Sequence, residues 1–166
     1  MMLRTIALSD QVSFPWFAPA GTRRGGITNA SSTGYINAEG EFVSTALNEG
    51  QRDTLYTNKV NPITFITGAG LVNYGQKTRF AGTSSLDRIN VSRLVIYLRS
   101  QLNKLARPFV FEPNDKITRD EIKAQAESLL LELVGNRAIF DFLVVCDESN
   151  NTCLLYTSDA ADDGLC

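Results

Sequence analysis

No histidine occurs anywhere in the 166 residues. That removes the commonest general base and any Ser-His-Asp or Cys-His pair within this chain. Cysteine is scarce as well: Cys146, Cys153 and Cys166 lack zinc-ligand spacing, and Cys146 closes an apolar run, as a structural thiol does. Metal and disulfide chemistry drop out, and no catalytic set is assembled. Apolar runs stay well short of the roughly 18 residues of a membrane span. Met1, Met2, Leu3 and Arg4 are not followed by the continuous apolar region of a signal peptide, so the chain is read as cytosolic at synthesis. A large charge of one sign is missing too. Sixteen Lys and Arg against 18 Asp and Glu leave a formal net charge of -2, with no basic field for nucleic acid and no polybasic segment for an anionic membrane.

What is present is enough apolar material for a core. At 43% hydrophobic and 20% charged, the composition fits one globular domain, which at this length buries about 68 to 70% of its unfolded surface. Residues 86–115 carry the clearest pattern. Val91, Leu94, Val95, Leu98, Leu102 and Leu105 recur at spacings of three and four, placing one apolar face on a helix over 91–105. Arg107 and Pro108 end the periodicity, and Phe109, Val110 and Phe111 read as a short extended segment closed by Glu112, Pro113, Asn114 and Asp115.

Upstream, residues 12–21 combine aromatics with two prolines and read as an irregular segment packed on the core. Residues 22–40, with Arg23 and Arg24 before Gly25 and Gly26, read as an exposed loop turning at Gly34 or Gly40. Asn48 is a plausible N-cap for a short helix ending near Asn61 and Pro62, and 63–66 is a strand.

Gly68 and Gly70 after that strand resemble half of a dinucleotide fingerprint. The third glycine is absent, and 71–75 looks like a second strand, which makes a turn between strands the first reading and a nucleotide-binding or small enzymatic α/β domain the alternative. Gly75, Gln76, Lys77 and Thr78 do not complete a phosphate loop.

Downstream, Thr118 and Glu121 have the spacing of a capping box, opening a helix over 119–134 that Gly135 and Asn136 would close. Residues 138–146 are nearly continuous in apolar side chains, as expected of a central strand over 139–146, with Asp141 either solvated or paired with Arg88 or Arg137. Asp147 and its neighbours form a polar turn. The fold class expected is α+β, a small mixed sheet of 63–66, 71–74 and 139–146 packed on two main amphipathic helices.

The stretches VSFPWFAPAG (from Val12), NPI (from Asn61), GQKT (from Gly75), LDRINV (from Leu86), FVFEPND (from Phe109) and DFLVVCDESNN (from Asp141) resemble, in order, the C-terminal region of the contractile tail sheath proteins of myovirus-type bacteriophages and related contractile injection systems. The resemblance implies a structural subunit without a cofactor. Its implied partners are other sheath subunits, the tail tube protein and the baseplate, in the virion after assembly in the host cytoplasm. It also implies a C-terminal arm exchanged between subunits as an added β-strand after the segment from Phe140 to Cys146. Polar positions inside the matching stretches, Gln76, Lys77, Asp87, Arg88, Glu112, Asn114 and Asp115, are the candidate subunit contacts. Residues 1–152 are expected to be a piece of the sheath C-terminal domain that begins inside the family's protein. Residues 153–166 depart from the pattern; they resemble the translation of a sequencing-library adapter and are expected not to be biological.

Overall fold

The computed structural model describes residues 2–82, 84–147 and 149–150. The expectation about 153–166 therefore lies outside the described residues, as does Glu148. Two compact units divide the chain, one ending at Val95 and the other beginning at Ile96.

The first unit is organised around one hairpin. Strands β3 (Ile63–Ile66) and β4 (Gly70–Asn73) pair antiparallel, with Thr64 opposite Val72 and Phe65 opposite Leu71. Gly68 and Gly70 take φ of 84° and 74°, the left-handed turn geometry glycine adopts without cost. This is the strand, turn and strand read from the sequence. The free side of β4 is covered by the backbone of Gly25, Gly26 and Ile27: the Ile27 N–H donates to the Leu71 carbonyl and the Asn73 N–H to the Gly25 carbonyl, both at 2.8 Å. With a strand-like neighbour on each side, β4 is the best-buried element of the unit, and Val72 and Asn73 are 0% exposed.

Asn73 tolerates that burial because its amide donates to the carbonyls of Pro19 and Gly75, each at 2.9 Å. Pro19 and Trp16 are buried beside it, so the segment from 12 to 21 packs on the core as expected. Phe14 stacks on Trp16 with centroids 4.7 Å apart, and the Arg24 guanidinium lies 4.6 Å from the Phe17 ring centroid.

Five elements precede this hairpin in the chain. Helix α1 (Met2–Val12) buries Thr5 and Ser9, small polar residues one turn apart, while Leu3 and Val12 stay exposed. Its inward stripe is not apolar, which explains why periodicity did not reveal it. Residues 22–40 contain the one-turn helix α2 (Gly21–Arg24) and strand β1 (Gly34–Ile36), which pairs with β2 (Phe42–Ser44) in a second hairpin turning at Gly40, φ 83°. Helix α3 (Glu49–Thr57) opens on the expected Asn48: its side chain accepts from the Gln51 N–H at 2.8 Å, and the Gln51 side chain accepts from the Asn48 N–H at 3.0 Å.

Helix α4 (Ile89–Ala106) matches the periodic stretch, although its apolar face is only half covered and no residue in it is fully buried. It runs into a 3-10 turn, Arg107–Phe109, in place of the expected extended segment. Pro108 fits there because its missing N–H falls in the first turn, where donors lack partners anyway.

Helix α5 (Lys116–Gly135) starts earlier than expected. Asp115, not Thr118, is the cap, and its carboxylate accepts from the Thr118 N–H at 2.8 Å. Two cap-forming residues stood three apart, and the ionised acceptor three residues upstream extends the helix by most of a turn. Ala126 and Leu133, seven residues apart and so on one face, are buried. The helix closes at Gly135 and Asn136 as expected, but the left-handed residue of the cap is Arg137, φ 58°, and neither of those two. The Arg137 N–H reaches the Val134 carbonyl at 3.0 Å and the Ala138 N–H the Leu133 carbonyl at 2.8 Å, the two bonds of a Schellman cap.

The α+β class holds, built from helices and small antiparallel hairpins. The third strand does not. Residues 139–146 pair with no backbone among the described residues. Phe140 is fully exposed and Leu143 86% exposed, while Phe142, Val144 and Cys146 are half-buried. Asp141 accepts from its own neighbour, the Phe142 N–H, and is solvated. The run has strand alternation, but among the described residues the second unit contains no strand to lie beside it.

Candidate subunit-contact surfaces

The first group of candidate residues is brought together by the fold. Lys77 and Arg88 form an isolated antiparallel bridge; the Ile89 N–H donates to the Gln76 carbonyl at 2.8 Å and the Thr78 N–H to the Asp87 carbonyl at 2.7 Å. This short ladder holds the start of α4 against the end of the β3–β4 hairpin. Tyr56 sits between the two cations: the Lys77 ammonium is 4.3 Å from its ring centroid and Arg88 donates to its hydroxyl at 3.0 Å. Arg88 also lies 3.4 Å from the Asp87 carboxylate, an exposed pair of small energetic weight. Gln76 places its side-chain oxygen in an enclosed position with no partner among the described residues, beside a cleft of about 490 Å³ lined also by Arg52, Asp53, Tyr56 and Tyr74. These residues thus join segments of their own unit through backbone and ring contacts.

The second group surrounds the start of α5. Asp115 caps it, and hydrogen bonds from Thr118 hold its carboxyl below the usual carboxylate range. The Asn114 carbonyl and side-chain oxygen both accept from Arg119, at 3.3 and 3.2 Å, and Glu112 remains exposed. Arg119 was missed from the sequence. It is only 5% exposed, a buried cation whose surroundings no spacing rule reveals. Asp147, at the end of the extended segment, accepts from the Ser149 N–H and hydroxyl. Those bonds, followed by the charges of Lys123 and Arg119, lower its pKa.

Gly68 and Gly70 lead into a strand. A pyrophosphate site requires a helix N-terminus there, so the geometry is that of a hairpin and not of a nucleotide cradle. Among the described residues, no helix is long and apolar enough to cross a membrane.

The sequence profile of the phage tail sheath C-terminal domain matches residues 82–165. The chain belongs to that family. Sheath relatives extend the match upstream: the tail sheath protein of Vibrio phage KVP40 is 37% identical over 145 residues, 87% of this chain and 20% of the relative. That of Enterobacteria phage T4 is 36% identical over 149 residues, 88% of this chain and 21% of the relative. The chain thus spans about a fifth of the length of the curated sheath proteins it matches. Solved structures share the fold. A chain of the anti-feeding prophage baseplate superposes with a TM-score of 0.64 at 24% identity, over 80% of this chain and 33% of that one. A chain of the contracted helical sheath of the same particle gives 0.56 at 25% identity, over 72% and 30%.

Proposed function

We propose that this chain is part of a contractile tail sheath subunit, which polymerises with copies of itself around a tail tube and shortens to drive that tube through a host envelope. The role is structural and not catalytic. Its partners are neighbouring sheath subunits, the tail tube protein and the baseplate, and its place is the tail of the virion, after assembly in the host cytoplasm.

The observation that carries this reading is the extended segment 139–146, which pairs with no backbone among the described residues and lies inside the region that matches the sheath family profile. Its outward side chains are apolar at Leu143 and Val145, and apart from the Phe142 N–H and the Val145 carbonyl, which bond to the side chains of Asp141 and Asn150, its backbone groups have no partner among the described residues and can pair with a strand from another chain. Main-chain bonds of that kind can keep subunits linked while they rotate against one another. Gln76, Lys77, Asp87, Arg88, Glu112, Asn114 and Asp115 are the polar positions that contact neighbouring subunits, with Arg88, Glu112 and Asp115 the most exposed of them.

A chimera tests it, with residues 1–150 replacing the matching stretch of the Vibrio phage relative. Sheath-like tubes in the electron microscope are expected from the chimera, and none from the same chimera carrying Leu143→Pro, which deletes one N–H from an exposed position. Tubes that form equally well with Leu143→Pro would overturn the reading.

A further inference from the structure

The extended segment returns along its own helix with almost no slack. Helix α5 rises about 1.5 Å per residue, so its 20 residues span about 30 Å. From Ala138 to Asp147 a fully extended chain at about 3.3 Å per residue covers about the same distance. The start of this span is held by the Schellman cap at Arg137. Its end reaches the opposite end of the helix: Cys146, Asp147 and Ser149 line a cavity of about 370 Å³ together with Lys116, Arg119 and Asp120 from the first turns of α5. A segment held at both ends across most of its own length has little room to coil.

We propose that Arg119 is a positioning residue that clamps the far end of segment 139–146 to the start of α5, keeping the segment straight as a pre-formed edge for a strand of another copy. The inference rests on the acceptor reading above and adds what holds the acceptor ready. Arg119 is suited to the task because it is buried yet charged: its guanidinium donates twice to Asn114 on one side and shares the cavity with Cys146, Asp147 and Ser149 on the other. The lowered pKa of Asp147 is consistent with that proximity, Arg119 acting there after Ser149 and Lys123. Lys116 and Asp120 share the cavity and carry opposite charges, so Arg119 faces Asp147 within a mixed-charge setting. Preorganisation of this kind lowers the ordering cost of docking a strand.

Distance measurement between spin labels decides the matter. In the full 166-residue chain with its three cysteines changed to serine, labels are placed at the exposed positions Leu143→Cys and Gln125→Cys, the latter on α5. A narrow distance distribution is expected in this parent. It should be lost in Arg119→Gln and regained in Arg119→Lys, which keeps the charge, with helical circular dichroism unchanged throughout. If Arg119→Gln loses helicity, Asp147→Asn, at an exposed position, serves instead and should broaden the distribution. A broad distribution in the parent overturns the clamp, as does a narrow one in Arg119→Gln with helicity intact or in Asp147→Asn. This measurement does not require assembly, so tubes that tolerate Leu143→Pro would remove the acceptor reading and leave the clamp standing.

Discussion

Asn61 hydrogen-bonds Lys77 as a neighbouring strand would: its side-chain oxygen accepts from the Lys77 N–H and its amide donates to the Lys77 carbonyl, both at 2.8 Å. One side chain thereby fixes the chain just after β4. Asn61→Ala is expected to destabilise the protein by about 1 to 3 kcal/mol, because two part-buried backbone groups lose their partner. Asn61→Asp should also destabilise, since it removes the donor. Urea denaturation measures both.

Gly25 and Gly26 are adjacent but should respond in opposite ways. A Cβ on Gly25 would lie 2.6 Å from the Asn73 backbone oxygen, whereas one on Gly26 meets nothing within 4 Å. Gly25→Ala is expected to cost about 1 to 3 kcal/mol by forcing the strand-like segment off β4. Gly26→Ala should be neutral or stabilising by up to about 1 kcal/mol, through the unfolded state. Thermal melting of the two variants separates them.

The reciprocal bonds of Asn48 and Gln51 make α3 sensitive to a single substitution. Asn48→Ala should lower stability by about 1 kcal/mol, and Asn48→Asp should retain most of it. Amide hydrogen exchange in α3 reads the fraying directly.

Asp115 and Asp147 both titrate below the ordinary carboxylate value of 3.8. A lowered folded-state pKa means that their contribution is complete above that value and is lost as pH falls through the lower one, where the folded form takes up protons. The melting temperature should therefore fall as pH drops below about 4, and less so in Asp115→Asn, which keeps an acceptor without a charge. Melting curves between neutral pH and the acid limb test the sign.

Phe140 and Leu143 contribute almost nothing to their own unit. Phe140→Ser and Leu143→Ser are expected to change stability by no more than about 0.5 kcal/mol. They should also reduce self-association, because they remove exposed apolar surface from an open backbone edge. Sedimentation velocity alongside denaturation shows both effects.

Local rules alone settled much of this protein. The spacing of Leu94, Leu98 and Leu105 specified α4, Asn48 specified the start of α3, and Gly68 and Gly70 marked a hairpin, because each signal acts within a few residues of itself. Helix α1 stayed hidden since Thr5 and Ser9, its inward residues, look like surface residues until a neighbour covers them. The choice of Asp115 over Thr118 as cap turned on a competition between two sound signals. The 139–146 run shows the difference most clearly. Its alternation and apolar content prescribe an extended strand, and extended alternation is present, but pairing needs a partner backbone that no local pattern supplies. Likewise Arg119 became meaningful only when folding enclosed its charge between Asn114 and the turn at Asp147. Conformation along the chain followed from side-chain sterics and capping, whereas which groups meet across it depended on tertiary distances.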